Sequence, residues 1–471
     1  MTVATLLTHP LLLFFANILL TNLTAVHTTT RTARLLAFSL SVFFSYIALS
    51  NWNEHINTTG WAGRFLASGS FTMPNVIFDR FIIRNWQYGK DDLRRKRIGK
   101  EDEKEENKQT KSEWGQEVVG NTRYIGTSLE VANVPFFNTK DPVLGPTRWR
   151  FCLNHAATIV ALYFLNTLAI DAQLNVDPKW MGDEYIPWFG MMLGDGIPDL
   201  RDQIITRVTI SLLYTVCQFC YLQFFFSVAA LLDVGLGGGE VRRWRPFFGA
   251  AKHAYTIRGF WGKFWHQNIQ LTIKGPAEFI THSILHIPRS TLIARYLKIF
   301  LTFAVSGVTH VAADYGSGIH PAQSGAMSYF CAQALGIMIE DGVQEIWRLM
   351  GGKKNTLLGK IIGFIWVLAF ICWSSPVWAY PFARTMRRED MLLTFGALKP
   401  LLVLDTPKLE SEMAAVVASK AHSLSVAVEA ILGSLPRTIR EMFQTSPILT
   451  TYVSQFWAHE NPRINGIIIK D

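Results

Sequence analysis

Seven stretches of this chain are apolar over about the 20 residues that an α-helix needs to cross a hydrocarbon core. They cover residues 11–26, 35–52, 151–170, 204–232, 299–311 with its flanks, 326–346 and 357–380. Lipid offers no hydrogen-bond partner to a backbone N–H or C=O group, so each spanning stretch has to be helical. Two weaker windows, residues 61–78 and 391–404, would add spans. The pattern therefore predicts an all-α, polytopic membrane bundle with about seven to nine transmembrane helices.

The composition excludes an ordinary soluble protein, because 49% of the 471 residues are hydrophobic and only 17% are charged. The net charge of +9 would suit a nucleic-acid binder, but the basic residues flank the apolar windows, which is the pattern that sets orientation in a membrane. We therefore expect the lipid bilayer as a partner and no nucleic acid. The first window lacks the basic start and the cleavage site of a secretory signal, which predicts a retained span with no soluble domain before it.

The loops between the windows alternate in charge, and this gives an orientation. Residues 79–149 carry the basic run Arg94-Arg-Lys-Arg97 and an acidic run after it, which predicts a solvated, flexible segment in the cytosol. Residues 171–202 are acidic and suit the opposite side, whereas residues 233–295 and 348–360 are basic again. The loop 233–295 is therefore expected to face the cytosol, in a protein of the endoplasmic reticulum membrane.

One ionisable side chain, His310, lies inside the apolar window 299–311. Such a residue within a membrane span is by default a hypothesis of a functional site, and the alternative is a packing histidine that bonds a neighbouring helix. Ser306 and Asp314 lie one helical turn before and after it, so either could orient the ring. For Asp314 the alternative is a residue at a helix end that meets water.

The cytosolic loop contains the aromatic motif Arg258-Gly-Phe-Trp-Gly-Lys-Phe-Trp-His-Gln267. On a helix, Trp261 and Trp265 would share one face, while Arg258, Gly262 and His266 would share another. One interpretation is an interfacial anchor helix, since amphipathic rings suit the membrane–water boundary. The other is the wall of a reaction site for an anionic, partly apolar substrate, with the glycine leaving space beside the histidine.

The aromatic motif resembles the Phe-Trp-x-x-x-Trp-His motif of the wax synthase-like acyltransferases in the membrane-bound O-acyltransferase superfamily. Ser306-Gly-Val-Thr-His310 resembles the intramembrane catalytic histidine of that family, in the same order along the chain. The resemblance covers about residues 151–381 and implies a fold of that superfamily. It implies His310 as the general base and His266 as a second polar catalytic group. The residues that it implies for substrate and CoA contacts are Trp261, Trp265, Arg258, Lys263 and Gly262.

The apolar windows and the charge pattern, together with the resemblance, divide the chain into four parts. They are N-terminal transmembrane segments at 1–80, a charged cytosolic loop at 81–147, a wax synthase-like catalytic membrane core at 148–404 and a tail at 405–471. In the tail, Leu409, Met413, Val417 and Leu424 recur at near-helical spacing, which predicts an amphipathic helix against the bundle or the membrane surface.

The fungal secondary-metabolite members of this group are the type that the chain resembles most. They imply acetyl-CoA as co-substrate and the hydroxyl of an apolar terpenoid or meroterpenoid alcohol as acceptor. One alternative is a long-chain wax ester or sterol ester synthase, and another is a polytopic transporter or scaffold without catalysis. No metal or bound cofactor is expected, since His282 and His286 have the spacing of two ligands on a helix but no third ligand in phase. The oligomeric state stays open.

Overall fold

The computed structural model describes residues 8–52, 61–90, 110–127, 129–138, 145–186, 200–353 and 356–386. Within these ranges every regular element is a helix. The α-helices are α1 (Pro10–His27), α2 (Arg31–Ser50), α3 (Trp61–Ile77), α4 (Lys111–Gly120), α5 (Arg148–Leu174), α6 (Leu200–Gly235), α7 (Ile257–Gly259), α8 (Gln270–Glu278), α9 (Leu292–Tyr315), α10 (Ala326–Leu349), α11 (Leu357–Ser374) and α12 (Pro376–Thr385). The predicted all-α fold is confirmed.

The chain divides into two compact units. One consists of Met1–Gly190 with Arg207–Met391, and the other of Met191–Thr206 with Leu392–Asp471. Of the second unit the described residues are 200–206, which form the first two turns of α6. The weak window 391–404 and the predicted amphipathic tail lie outside the described residues.

Six of the described helices are long and apolar enough to cross a membrane: Pro10–His27, Arg31–Ser50, Arg148–Leu174, Arg201–Gly235, Leu292–Tyr315 and Leu357–Ser374. Each coincides with one of the seven predicted windows. The seventh window is helical as part of α10, but Gln333, Glu340 and Asp341 make it more polar than the six. The last window is shorter than predicted, because α11 ends at Ser374 and α12 begins as a separate helix at Pro376.

Three N-terminal helices are joined by polar side chains in an otherwise apolar environment. Pro74 lies inside α3 and has no N–H to donate to the carbonyl of Ser70, one turn earlier. The hydroxyl of Ser45 on α2 replaces the missing donor and donates to the Ser70 carbonyl at 2.8 Å. Asn17 on α1 in turn donates to the Ser45 hydroxyl at 2.9 Å. Because an unpaired carbonyl is costly in apolar surroundings, these bonds fix how α1, α2 and α3 pack together.

The described part of the predicted charged loop is packed rather than solvated. Trp114 and Val118 on α4 are buried, as is Tyr124 after it, and all three pack against Ile77 and Phe81. The expectation of a solvated segment over residues 79–149 is therefore wrong for 79–90, 110–127 and 129–138. Residues 91–109, which hold both charge runs, lie outside the described residues. The charge runs dominate the composition of this loop and conceal the apolar residues on either side of them.

Helix α9 lies at the centre of the bundle. It packs against α10, against α3 and against α8. Its buried side is made of small residues, with Ser306, Gly307, Thr309, Ala312 and Ala313 facing neighbouring helices. Small residues let helix backbones approach closely in a membrane. At Gly307 an added Cβ would lie 3.1 Å from the Cα of Met327 on α10, which is tighter than most contacts of a real Cβ, so the glycine suits this close approach. His310 lies on this central helix, next to the buried Thr309.

Candidate active site

The His310 side chain is half-buried on α9, and one of its ring nitrogens has a fixed role. Its Nδ1 lies 2.7 Å from the main-chain oxygen of Ser306, one turn earlier. A carbonyl oxygen only accepts hydrogen bonds, so in the neutral ring Nδ1 carries the proton and Nε2 keeps its lone pair. Ser306 was a candidate for orienting the ring, and it contacts the imidazole through its carbonyl rather than through its hydroxyl.

Two aromatic side chains confine the His310 ring. Phe330 on α10 packs against it with 4.3 Å between ring centroids and a tilt of 31°. Trp378 on α12 stands perpendicular to it, with centroids 5.0 Å apart and an angle of 89°. Neither was singled out from the sequence, because an aromatic residue in an apolar helix reads as ordinary packing. The imidazole is thus held by one hydrogen bond and two ring contacts.

Asp314 lies beneath this arrangement and is fully buried. The expectation that it might meet water at a helix end is therefore wrong. The direct orienting role has no support in the geometry, since Nδ1 of His310 bonds the Ser306 carbonyl. The Asp314 carboxylate instead accepts from Trp378 Nε1 at 2.9 Å and forms an ion pair with Arg64 of α3. Trp378 thus contacts both Asp314 and His310.

The aromatic motif is not a single regular α-helix. After one α-helical turn, Ile257–Gly259, the chain widens into a π-helix over Phe260–Phe264. Trp265 is extended, with φ −66° and ψ 156°, and its N–H bonds the Phe260 carbonyl at 2.7 Å. Trp261 and Trp265 are still neighbours, as predicted, with 5.9 Å between ring centroids. The predicted face that placed His266 with Arg258 and Gly262 is wrong, because His266 follows the end of the helix and stacks on Phe247. Trp265 and His266 leave the helix and turn into the bundle.

Trp261 connects the motif with the base. Its Nε1 donates to Oε1 of Gln333 on α10 at 3.1 Å, and Gln333 is fully buried. Its ring packs against Phe330 with 5.8 Å between centroids, and Phe330 in turn packs against His310. Trp265 is buried and stacks on Phe260 at 5.5 Å and 19°. The motif is thus an inner wall of the bundle rather than an anchor that lies on a membrane surface.

His266 is half-buried and stacks on Phe247, with 5.1 Å between centroids and 18° between planes. Its Nδ1 is buried and has no hydrogen-bond partner among the residues that the structure describes. Burial, with smaller contributions from the imidazole of His310 and the guanidinium of Arg123, lowers the pKa of His266 to about 3. The ring is therefore neutral at physiological pH. A series of ring contacts, from His266 through Trp265, Trp261 and Phe330, connects His266 with His310.

The basic residues of the motif face outward. Arg258 is exposed and forms an ion pair with Asp341 at 2.5 Å. Asp341 also forms an ion pair with Arg295 at 2.9 Å. Lys263 is exposed as well. A Cβ on Gly262 would meet no described atom within 4 Å. Space beside this glycine is therefore already open, and the predicted need for glycine next to His266 is not reflected in the packing.

Arg123 is a residue of this site that the sequence did not point to. It follows α4, in the loop that was expected to be solvated, yet it is 4% exposed. Its guanidinium donates to the carbonyls of Arg245 and Pro246 and lies over the Phe247 ring, 5.8 Å from its centroid. Burial, followed by the charge of Arg245, lowers the pKa of Arg123 to about 10, so it stays charged. Phe247 thus contacts both this cation and His266.

A histidine inside an apolar helix, next to a wall of aromatic side chains and a second neutral histidine, marks this region as the candidate active site. The comparison with known proteins gives the class of protein. The model of the membrane bound O-acyl transferase family matches residues 244–332, which include the whole aromatic motif and His310. No solved structure matches the chain.

Several fungal proteins are similar to this chain. Acetyltransferase aurG of Calcarisporium arbuscula is 32% identical, over 60% of this chain and 68% of its own length. Acetyltransferase fsoF of Humicola fuscoatra is 35% identical, over 55% of this chain and 64% of its own. Acetyltransferase ataH of Aspergillus terreus is 32% identical, over 57% of this chain and 88% of its own. The matched stretch thus spans about two thirds of the length of the first two.

The chain belongs to the membrane bound O-acyl transferase family. It is an integral membrane acyltransferase. Membership of this superfamily and an enzyme of the acyltransferase class, both expected from the two sequence motifs, are confirmed.

Proposed function

We propose that this enzyme transfers an acetyl group from acetyl-CoA to a hydroxyl group of an apolar, terpenoid-type alcohol, with His310 as the general base. The observation that carries the proposal is the bond between Nδ1 of His310 and the Ser306 carbonyl. It fixes the tautomer in which Nε2 is a proton acceptor, in a low-dielectric site where a neutral imidazole is favoured. The names of the relatives, all acetyltransferases, support the acetyl donor.

The reaction follows from this tautomer. Nε2 of His310 takes the proton of the acceptor hydroxyl while the oxygen forms a bond to the thioester carbonyl carbon of acetyl-CoA. The carbonyl oxygen becomes an oxyanion in the tetrahedral intermediate. When the intermediate collapses, the carbon–sulfur bond breaks and the imidazolium returns its proton to the CoA sulfur. The products are the acetate ester and CoA with a free thiol, and the base is regenerated in its starting tautomer.

His266 is proposed to assist the oxyanion or to position the acceptor. Its neutral ring has a buried Nδ1 without a partner among the described residues, and a buried polar atom of this kind is costly unless a ligand satisfies it. In the tautomer with a proton on Nδ1, this atom is a hydrogen-bond donor. Trp261, Trp265 and Gly262 would line the substrate path from the motif, with the indole of Trp261 fixed by Gln333.

Acetyl-CoA is proposed to arrive from the cytosol and the acceptor from the bilayer. Arg258 and Lys263 are exposed on the motif, where they can meet the CoA phosphates. The charge pattern of the loops favours a motif that faces the cytosol. The cytosol is the compartment that supplies acetyl-CoA. An apolar alcohol partitions into lipid, so entry from the membrane suits it. Residence in the endoplasmic reticulum membrane completes this proposal.

The test uses the metabolites of the source organism and a defined reaction. We expect deletion of the gene to remove one acetate ester and to accumulate its free alcohol. That alcohol, purified, is then given to microsomes that contain the protein, with radiolabelled acetyl-CoA or palmitoyl-CoA. The proposal predicts label in an ester from acetyl-CoA, and a palmitate ester formed in preference would replace it with the long-chain alternative. An unchanged metabolite profile together with no transfer from either donor would contradict the proposed function.

A further inference from the structure

A buried carboxylate close to His310 receives three hydrogen-bond donors from three separate parts of the fold. Asp314 is 0% exposed. Arg64 reaches it from α3, Ser324 from the loop after α9, and Trp378 Nε1 from α12 at 2.9 Å. A buried carboxylate is costly unless it is paired and fully bonded. The bonds to Asp314 therefore fix the positions of all three partners at once.

Trp378 is the partner that carries this order to the proposed base. The indole N–H fixes one edge of the ring on Asp314, and the ring then stands perpendicular to His310 with centroids 5.0 Å apart. Trp378 also packs against Phe330, with 5.1 Å between ring centroids, and Phe330 in turn packs against the His310 ring. A shift of the indole would therefore change both walls of the imidazole.

Arg64 supplies the charge that lets Asp314 be buried. Its guanidinium donates to the Tyr214 hydroxyl at 2.8 Å and lies over the rings of Phe382 and Trp378, at 3.8 and 5.3 Å. Arg64 is itself 5% exposed. Because it belongs to α3, an N-terminal helix outside the matched family segment, the order of the His310 pocket depends on a part of the chain that carries no recognised motif.

We propose that the Arg64–Asp314–Trp378 network is a positioning device for His310. It holds the indole against the imidazole so that Nε2 keeps the direction needed to take the proton of the acceptor hydroxyl. These are positioning residues, because they act on the reaction through the His310 ring. The inference rests on the proposed role of His310 as base. Its consequence is a loss of kcat with little change in the KM for acetyl-CoA when the indole N–H is removed.

The experiment compares two variants that each remove one donor from the same carboxylate. Trp378→Phe deletes the indole N–H and keeps an aromatic ring, whereas Ser324→Ala deletes the hydroxyl in the loop. Both are measured in microsomes at equal protein level, with acetyl-CoA and the purified acceptor. We expect Trp378→Phe to lower kcat about 10- to 100-fold, and Ser324→Ala to lower it by less than about threefold. Equal effects of the two variants would overturn the proposal, because the carboxylate would then serve only the fold.

A double-substitution cycle tests whether Asp314 acts through Trp378. If it does, Asp314→Ala combined with Trp378→Phe lowers kcat no further than the more severe of the two single changes. If the losses of kcat in the two single variants multiply in the double variant, Asp314 does not act through Trp378. Asp314→Asn keeps an oxygen for the indole, so it is expected to retain more kcat than Asp314→Ala. If the Trp378→Phe protein is not present in the microsomes, the comparison of Asp314→Asn with Asp314→Ala tests the proposal instead. Equal kcat values in these two variants would overturn it.

The failure of this network and the failure of the proposed function are distinguishable. His310→Ala is measured in the same assay. If it keeps wild-type turnover, the base assignment fails and the network has nothing to position. If His310→Ala is inactive while Trp378→Phe behaves like Ser324→Ala, only the positioning proposal fails.

Discussion

Nδ1 of His310 is bound at 2.7 Å to the main-chain oxygen of Ser306, one helical turn earlier on α9. This contact depends on the helix backbone and not on the identity of residue 306. We therefore expect Ser306→Ala to keep kcat within about twofold of wild type, because the carbonyl remains and the side chain loses one small polar group. Steady-state kinetics at equal protein level checks this. A tenfold loss in Ser306→Ala would mean that the hydroxyl, rather than the carbonyl, orients the ring.

Two glycines of the aromatic motif are expected to respond in opposite ways to the same substitution. At Gly259 an added Cβ would lie 2.1 Å from the His253 carbonyl, so Gly259→Ala is expected to displace the motif helix and abolish activity. At Gly262 the same Cβ would meet no described atom within 4 Å, so Gly262→Ala should retain most activity. The assay is acetyl transfer in microsomes, with protein level followed by immunoblot. Loss of activity in Gly262→Ala would show that the substrate path has no room for a Cβ at this position.

The depressed pKa of His266 predicts a stability that falls with acid. The pKa is about 3 in the folded protein and about 6.5 in an unfolded chain, so below pH 6.5 the unfolded state binds a proton that the folded state refuses. The free energy of unfolding therefore decreases by about 1.4 kcal/mol per pH unit from this group as pH falls from 6.5 towards 3, and it is unaffected above 6.5.

Thermal unfolding of the purified protein in detergent between pH 4 and pH 8 measures this effect. The variant His266→Gln should have a flatter dependence of Tm on pH over the acidic half of the range. His286→Gln, at an exposed position, is the matched control and should follow wild type. Parallel curves for wild type and His266→Gln would contradict a buried neutral imidazole.

The two exposed basic residues of the motif differ in how far their charge is already used. Arg258 forms an ion pair with Asp341, whereas Lys263 has no ion-pair partner among the described residues. If both meet the CoA phosphates, Lys263→Gln should raise the KM for acetyl-CoA more than Arg258→Gln does, by about three- to tenfold at low salt. Higher salt should reduce the difference. Unchanged KM in both variants would mean that the phosphates bind elsewhere.

The sequence predicted those features that follow from chemistry local in the chain. Six spans were found because lipid forces an apolar stretch to be helical, and the base candidate His310 was found because a titratable residue is conspicuous there. Features that depend on distant partners were missed. Asp314 was given the alternative of a residue at a helix end that meets water, because its ion-pair partner Arg64 lies 250 residues away in the sequence.

Aromatic packing concealed the rest of the site. Phe330 and Trp378 line the His310 ring, but aromatic residues in apolar helices carry no signal that separates a site wall from a core. The π-helix at Phe260–Phe264 and its end at Trp265 moved His266 off the face predicted for it, since residue spacing alone assumes 3.6 residues per turn. Arg123 was hidden because the charge runs beside it predicted a solvated loop.

The central claim is tested most directly by the turnover number of His310→Ala with acetyl-CoA and the purified acceptor alcohol. Removing a general base typically costs about 10²- to 10⁴-fold, so we expect kcat to fall at least 100-fold at an unchanged protein level and with a KM for acetyl-CoA close to wild type. His320→Ala, which removes an exposed histidine ten residues further on, should keep wild-type kcat. A His310→Ala enzyme with kcat within tenfold of wild type would contradict His310 as the base.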